Sequence, residues 1–341
     1  MRAVLLTRYG GAEVLRIVDV PLPEPRRGEV RVRIEFIGVN FAEVLSRRGV
    51  YGWAPRLPYI PGMEASGVVD AVGEGVTTLS RGDAVIVGTQ YGTYAEFICQ
   101  PADRVLPAPR DFSPAESAAF GVNYLTAWIG LMEMARLRPS DTLLVTSAAG
   151  GVGTAAVQIG ARFGARVIGA SGRGKQDVVR ELGAAAALDY DDPRWEQQLE
   201  RATGGRGVDV ALEMAGGRIY RAAVRSLAPM GRIVIAGASS GFARSRNPLA
   251  RLAALRNVPW PWVPDMVRRS YGVLNFHVGW LLDSGVIRPQ WDALVRFVEQ
   301  HHIRPVVGHE FAFDDIAEAH RTLEERRNIG KVVVRVSNAS P

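Results

Sequence analysis

A glycine-rich turn lies between an apolar run and a helical pattern near the middle of the chain. The sequence TLLVTSAAGGVGTAAVQIG puts Ala148, Gly150 and Gly153 at the spacing of the dinucleotide-binding fingerprint, with alanine in the first glycine position. Gly150 lets the backbone approach a pyrophosphate, Gly153 permits close helix packing, and the helix start offers unpaired N–H groups to an anion. The alternative is a tight turn without a ligand. We predict that the turn, with Gly151 and Val152, binds a dinucleotide.

The end of the next apolar strand bears on the choice between NADH and NADPH. An NAD site usually carries an acidic residue there, which binds the ribose hydroxyls. Here the sequence VIGASGRGKQ provides Ser171, Arg173 and Lys175, with no carboxylate before Asp177. Basic side chains can pair with the 2′-phosphate, so the sequence favours NADPH. The alternative is that Arg173 and Lys175 are solvated surface charges.

Cysteine and histidine usage argues against a metal site. The single cysteine, Cys99, cannot form an intramolecular disulfide or part of a four-cysteine zinc site, and it is consistent with a reducing compartment. None of the histidines falls in a paired metal-binding spacing; they are His277, His301, His302, His309 and His320.

Composition predicts a globular protein. The 341-residue chain is 47% hydrophobic and 22% charged, which excludes low-hydrophobicity disorder. No apolar run approaches the length of a membrane span, and the start MRAVLLTRYGGAEVL lacks the features of a secretory signal, so we expect a cytoplasmic protein. The net charge of +6 comes from scattered residues. An anionic cofactor is sufficient to explain it, and no nucleic-acid partner is expected.

The elements that would position these residues follow two patterns. Short β-rich runs separated by Gly and Pro extend from Met1 to about Phe120, and an apolar helical stretch opened by Ser113 or Pro114 follows. From Asp141 onward, apolar strands alternate with helices, which is typical of a doubly wound parallel sheet. The predicted helices of this region cover residues 153–164, 175–182, 193–202 and 220–227.

The C-terminal part returns to a mixed pattern. We predict a strand at SYGVLNFHVG, a helix near Trp291 to Gln300, a turn at HHIRPVVG, a helix around Ile316 to Arg326, and a strand at GKVVVRV. No internal repeat is visible.

Several long motifs follow one another along the chain, namely GVNFAEVLSRRGVYG, PGMEASGVVDAVGEGV, GTYAEF, NYLTAW, SAAGGVGTAAVQIG, LAPMGRIVIAG and RRNIGKVVV. These motifs, in this order, resemble the medium-chain dehydrogenase/reductase superfamily. Within the superfamily the chain is similar to the zinc-independent quinone oxidoreductases, including the vesicle-amine-transport-protein-like branch. The resemblance implies an α/β fold: a GroES-like β domain formed by residues 1–121 and 279–341, a Rossmann NADP-binding domain at residues 122–278, and a cofactor cleft between them.

The resemblance also bears on zinc. Zinc-dependent relatives bind their catalytic metal with a Cys after the GV turn and a His in a GHE motif. This chain has Asn40 at the first place and Met63 before Glu64 at the second. No catalytic zinc is therefore expected, and the implied chemistry is hydride delivery from NADPH to an acceptor that is already electrophilic.

The resemblance assigns two catalytic candidates. Asn40 and Tyr51 match an Asn and a Tyr that quinone oxidoreductases keep beside the nicotinamide. Asn40 would orient the substrate or the carboxamide, and Tyr51 would donate a hydrogen bond to the developing oxyanion or relay a proton. The alternative for Tyr51 is a rim aromatic that packs on the cofactor without transferring protons.

Further cofactor contacts follow from the same match. Tyr124 and Thr126 match a helix whose threonine contacts the nicotinamide end, although simple packing is the alternative. Tyr190 and Arg326 match residues that reach the adenosine phosphate; Arg327 leaves the second match uncertain by one residue.

Two regions depart from the family pattern. Glu43 stands where the family often has Asp, which keeps the charge on a longer side chain. The Trp- and Pro-rich segment 241–269 has no strong motif match. Its Trp260, Trp262 and Val263 would form an acceptor wall, pack on a partner subunit or contact a membrane surface, the last being the least favoured. The strand SYGVLNFHVG resembles the family strand that joins two sheets, so we expect a homodimer.

These observations predict an NADPH-dependent, zinc-free reductase of a quinone or an α,β-unsaturated carbonyl. Both acceptors develop negative charge on an oxygen as hydride arrives. Enoyl-thioester reduction is the alternative enzymatic activity, because NFAEVL and NIGKVVV also resemble the enoylreductase modules of polyketide synthases. Tailoring of a natural-product intermediate is a variant of the same chemistry. An NADPH-binding scaffold with little catalysis is the alternative outside enzymes.

Overall fold

A computed structural model describes residues 1–237, 260–282 and 284–336. The chain divides into two compact units, the first formed by Met1–Asn123 with Gly279–Pro341 and the second by Tyr124–Val278. Within the described part of the chain, no helix is long and apolar enough to cross a membrane.

The N-terminal part of the first unit is mostly β. Its strands are β1 (Arg2–Leu5), β2 (Arg16–Asp19), β3 (Glu29–Val39), β4 (Glu64–Val72), β5 (Ala84–Gly88), β6 (Phe97–Pro101) and β7 (Val105–Pro107). Alternate residues of β3, namely Val30, Val32 and Ile34, point into the apolar core, as a strand with one buried face requires. The sequence did not predict α1 (Phe41–Arg47), which directly follows β3.

The predicted apolar helical stretch is confirmed as α2 (Pro114–Trp128), which is followed by a π-helical turn at Ile129–Met134. A reciprocal capping box precedes it. The N–H of Ser113 donates to Glu116 over 2.8 Å, and the N–H of Glu116 donates to the Ser113 hydroxyl over 3.2 Å. Proline at the first helical position needs no hydrogen bond there.

The predicted doubly wound parallel sheet is confirmed in the second unit. Its strands are β8 (Thr142–Thr146), β9 (Arg166–Ser171), β10 (Ala186–Asp189), β11 (Val208–Glu213), β12 (Leu227–Ile235) and β13 (Gly272–Asn275). All are parallel, in the order β10-β9-β8-β11-β12-β13. The order reverses between β8 and β11, and ligands bind beyond the carboxyl ends of strands at such a point.

Helices connect these strands at the four predicted places, with ends shifted by a few residues. They are α3 (Gly151–Phe163), α4 (Gln176–Glu181), α5 (Trp195–Ala202) and α6 (Gly217–Arg225). A further helix, α7 (Val263–Arg269), precedes β13 and was not predicted. The Trp- and Pro-rich segment is described only from Trp260 onward, and residues 238–259 lie outside the described part. Trp260, Trp262 and Val263 expose 79%, 65% and 63% of their surface in the single chain.

The C-terminal part completes the sheet of the first unit. Its elements are α8 (Val278–Leu281), α9 (Ile287–Gln300), β14 (Val307–Ala312), α10 (Ile316–Glu324) and β15 (Lys331–Arg335). The sheet order is β14-β15-β3-β4-β5-β7, with β6 also paired to β3. The prediction of a turn at HHIRPVVG is wrong for its last two residues. β14 begins at Val307, within this sequence, and pairs in parallel with β15. Val332 of β15 lies opposite Val39 of β3, so Lys331 reaches the end of β3.

Candidate functional site

The glycine-rich turn of the second unit has the geometry of a dinucleotide-binding turn. It follows β8 and ends in α3, whose N-cap is Gly150 and whose start carries no side-chain cap. A Cβ at Gly153 would clash with the carbonyl oxygen of Ser147 and lie 2.7 Å from Ala148 Cα. Only glycine fits this position, so α3 can begin close against the turn. Its first N–H groups are available to an anion.

Tyr124 serves a structural contact within the second unit. Its side chain is 1% exposed, and its hydroxyl accepts a hydrogen bond from Gln158 Nε2 over 2.9 Å. The bond joins the end of α2 to α3, the helix that begins at the glycine turn. Thr126, two residues further along α2, is also buried. The nicotinamide contacts of both residues stay predictions.

The residues predicted to select NADPH lie where β9 and β10 end. Ser171 is buried, with its hydroxyl accepting from Gln176 Nε2 over 3.2 Å, and Arg173 is exposed, 3.3 Å from Asp189. Asp189 lies opposite Ser171 in the paired strands. Tyr190, the next residue, is buried beside Gly172. The ion pair of Arg173 with Asp189 was not predicted from the sequence, and a pair with one exposed partner is weak. Lys175 is the N-cap residue of α4.

Glu213 is a buried acid that the sequence analysis missed. It ends β11, beside the end of β8, and is fully buried. Its carboxylate accepts the N–H groups of Ala215 and Gly216 at 3.0 Å and the Thr146 hydroxyl at 3.2 Å. Burial raises the pKa of Glu213 to about 7, against the effect of these hydrogen bonds. Glu213 therefore fixes the turn after β11 at the point where the strand order reverses.

In the first unit, Asn40 belongs to a buried ion-paired cluster. Glu64 and Lys331 form a hydrogen-bonded ion pair, and their side chains are 0% and 3% exposed. Lys331 Nζ also donates to Asn40 Oδ1 over 2.7 Å, and Asn40 Nδ2 donates to Glu64 Oε1 over 3.0 Å. The backbone N–H of Val122 donates to Glu64 Oε2 over 2.7 Å. These contacts fix the orientation of the Asn40 carboxamide at the start of α1.

Glu43 adds a second buried carboxylate to this cluster. It is 1% exposed and accepts the N–H of Asn40 at 2.7 Å and of Met63 at 2.9 Å. Burial raises the pKa of Glu43 to about 7, and the neighbouring Glu64 carboxylate adds to the rise while Lys331 opposes it. Glu43, the residue that differs from the family pattern, therefore contacts the predicted catalytic Asn40.

Tyr51 lies in the loop after α1, within electrostatic reach of Glu43. Burial, and secondarily the Glu43 charge, raises the pKa of the Tyr51 phenol to about 12. Its ring packs edge-on against Trp53, with centroids 5.3 Å apart and an angle of 62°. The phenol therefore keeps its proton at neutral pH and can donate a hydrogen bond or act as a transient proton source.

Arg326 follows α10 in the left-handed region, with φ of 58°. Its neighbour Arg327 forms ion pairs with Glu318 at 2.6 Å and Glu325 at 2.8 Å. The phosphate contact that the resemblance implies for Arg326 stays a prediction.

Comparison with known proteins identifies the family. Residues 26–110 match the model of the alcohol dehydrogenase GroES-like domain, and residues 182–334 match a model described as zinc-binding dehydrogenase. The predicted combination of a GroES-like domain with a Rossmann-like sheet is thereby confirmed. The rat synaptic vesicle membrane protein VAT-1 homolog is 32% identical over 98% of this chain and 84% of its own length.

Two solved structures extend the comparison. The quinone oxidoreductase of Thermus thermophilus, also solved in complex with NADPH, is 36% identical, with a TM-score of 0.81 over 98% of this chain and 100% of its own. The CurK enoyl reductase is 25% identical, with a TM-score of 0.86 over 98% of this chain and 99% of its own.

The residues of this chain do not fit the zinc that one model description implies. Lys331 already supplies the positive charge at Glu64, and Asn40 and Met63 offer no thiolate or imidazole there. Among the described residues, no group of three or more His, Cys, Asp or Glu is arranged to hold a metal ion. The chain belongs to the medium-chain dehydrogenase/reductase superfamily, in the quinone-oxidoreductase-like group that includes the VAT-1 homologs.

Proposed function

We propose that this protein is a zinc-independent, NADPH-dependent reductase that transfers hydride to a quinone or an α,β-unsaturated carbonyl compound. The observation that carries the proposal is the Asn40–Glu64–Lys331 cluster, where an ammonium group replaces a metal as the partner of the buried carboxylate. Without a metal to polarise a substrate oxygen, the acceptor must be electrophilic in itself. Quinones and conjugated enones meet this requirement.

The second unit would bind the cofactor. The glycine turn after β8 suits the pyrophosphate, because Gly153 admits no side chain and α3 begins without a side-chain cap. Ser171, Arg173 and Lys175 would surround the 2′-phosphate, and the NADPH complex of the Thermus thermophilus quinone oxidoreductase supports the same choice. When bound, NADPH supplies the hydride.

Asn40 and Tyr51 would act on the acceptor. Hydride brings two electrons, and a proton must follow to complete the reduction. Tyr51, with its pKa raised to about 12, stays protonated and would donate to the developing oxyanion. Asn40 would orient the acceptor or the nicotinamide carboxamide, with its own amide held by Glu64 and Lys331.

The test is consumption of reduced cofactor, followed by its near-ultraviolet absorbance, with NADPH and NADH against quinones, enones and enoyl thioesters. Wild type is compared with Asn40→Ala and Tyr51→Phe, and the exposed Tyr91→Phe is the matched control for the loss of a phenol. NADPH-selective turnover of quinones or enones that falls in both site variants but not in Tyr91→Phe supports the proposal. NADPH binding without turnover of any acceptor contradicts it and favours the scaffold alternative.

Enoyl-thioester reduction is the second candidate. It is favoured by the similarity to the CurK enoyl reductase over nearly the whole chain. A preference for enoyl thioesters over quinones in the same assay would move the assignment to this activity.

We also propose that two copies pair through β13. This strand lies at the end of the parallel sheet and bonds only to β12 among the described strands. An edge strand with the sequence GVLN is prone to pair with another strand. A dimeric mass in solution that becomes monomeric when Val273 is replaced by proline would support this pairing, and a monomeric wild type would contradict it.

A further inference from the structure

The side chain of Glu43 links two segments of the first unit. It is the third residue of α1, and it accepts the backbone N–H of Asn40 at the start of that helix. Its other oxygen accepts the N–H of Met63, the residue before β4, while Asn40 Nδ2 approaches the same oxygen at 3.4 Å. One buried carboxylate therefore receives all its described hydrogen bonds from N–H donors, and it joins the Asn40 turn to the segment that carries Glu64.

A partly exposed Glu would suffice for capping alone. Ser113 and Glu116 form the equivalent pair at the start of α2, and there the Glu side chain is 23% exposed and also pairs with Arg304. Glu43 has the same position in its helix but is 1% exposed. Burial of a carboxylate is costly, so the capping role does not explain why this one is enclosed.

The groups that face Glu43 make it responsive to pH. Charged groups come from two strands, with Glu64 on β4 and Lys331 at the start of β15. Phenols come from the surrounding loops, namely Tyr51, Tyr59 and Tyr94, and each has its pKa raised mainly by burial and to a smaller extent by the Glu43 charge. With its own pKa raised to about 7, Glu43 changes charge in a pH range where these phenols do not.

We propose that Glu43 is a positioning residue for Asn40, and that its ionised form is the one that holds the site in the active arrangement. Protonation removes the negative charge that both N–H donors face and puts a hydrogen on one of the two accepting oxygens, so the Asn40 and Met63 contacts both weaken. The site is then less ordered at low pH. The expected effect on kcat rests on the proposed reductase function, whereas the expected loss of order around Asn40 does not.

The kinetic test compares Glu43→Gln, Glu43→Asp and Glu116→Gln with wild type. In wild type, kcat should rise with pH through about 7. Glu43→Gln should lower kcat by roughly tenfold above that pH, because an amide cannot accept both backbone N–H groups. The same variant should also lose the rise of kcat with pH. Glu43→Asp should retain the rise, and Glu116→Gln should match wild type. The KM for NADPH should stay within about twofold in every variant.

A second readout does not depend on turnover. The amide signals of Asn40 and Met63 in the nuclear magnetic resonance spectrum of the full chain should shift together with pH, with one midpoint near about 7. In Glu43→Gln, neither amide signal should shift with pH. If these amides titrate as expected but no acceptor is reduced, the proposed function fails and the structural part of the inference stands.

Three results would overturn the inference. One is a pH dependence of kcat in Glu43→Gln equal to that of wild type. Another is the loss of the same dependence in Glu116→Gln. The last is separate midpoints, or no titration, for the Asn40 and Met63 amides.

Discussion

Replacing Lys331 by methionine should destabilise the first unit strongly. Lys331 and Glu64 are 3% and 0% exposed, so the substitution leaves a carboxylate in the interior without its ammonium partner. Glu64 keeps two hydrogen bonds, from Val122 at 2.7 Å and from Asn40 at 3.0 Å. Removing one partner of a buried pair costs about 3–5 kcal/mol, and we expect a value in this range for Lys331→Met.

The matched comparison is the exposed pair of Arg321 and Glu318, which lies 2.9 Å apart on α10 in the same unit. Arg321→Met should cost at most about 1 kcal/mol. The double variant Glu64→Gln/Lys331→Met should be more stable than Lys331→Met alone, because it removes the uncompensated charge. Urea unfolding followed by circular dichroism, at low and high salt, measures all three.

Two results would refute this reasoning. A loss of stability in Lys331→Met no larger than that in Arg321→Met would mean that the buried Glu64–Lys331 pair contributes no more than an exposed pair. A double variant less stable than Lys331→Met would mean that hydrogen bonding to Glu64, rather than its charge, dominates.

Three further predictions concern the second unit. Gly153→Ala should weaken NADPH binding by at least about tenfold, because its Cβ meets the turn backbone; isothermal titration calorimetry measures the loss, and unchanged binding would contradict the steric account. Arg173→Ala should weaken NADPH binding by roughly tenfold and leave NADH binding unchanged, and a parallel loss for both cofactors would argue against a phosphate contact. Glu213 has a folded-state pKa raised from 4.5 to about 7, so its contribution to stability is fully present below about pH 4.5 and is lost as pH rises through about 7. As pH rises over this range, the melting temperature of Glu213→Gln should therefore fall less than that of wild type. Identical slopes of melting temperature against pH would contradict the raised pKa.

The parallel sheet could be predicted from the sequence because its signal is local. Each apolar run, such as β8 with all five residues buried, is followed by a helix of the right length. The glycine turn was equally local, since Ala148, Gly150 and Gly153 lie within six residues of one another. The steric need for Gly153 rests on backbone atoms of the same turn.

The polar cluster could not be predicted in the same way. Lys331 lies 267 residues from Glu64 along the chain, and the pairing of β15 with β3 together with that of β3 with β4 brings them together. One signal was present, because Lys331 is one of only two lysines and stands beside an apolar strand sequence, where a buried ammonium needs a carboxylate. Burial of Glu43 and Glu213 likewise depends on tertiary packing, so their raised pKa values have no trace in the sequence.

The most direct test of the central claim is single-turnover reduction of a quinone by the metal-free protein with bound NADPH, in wild type and Tyr51→Phe. The account predicts that chelator-treated wild type reduces the quinone at the rate of untreated protein, and that Tyr51→Phe is slower while binding NADPH equally well. Loss of the reaction on chelation, restored by added zinc, would contradict it.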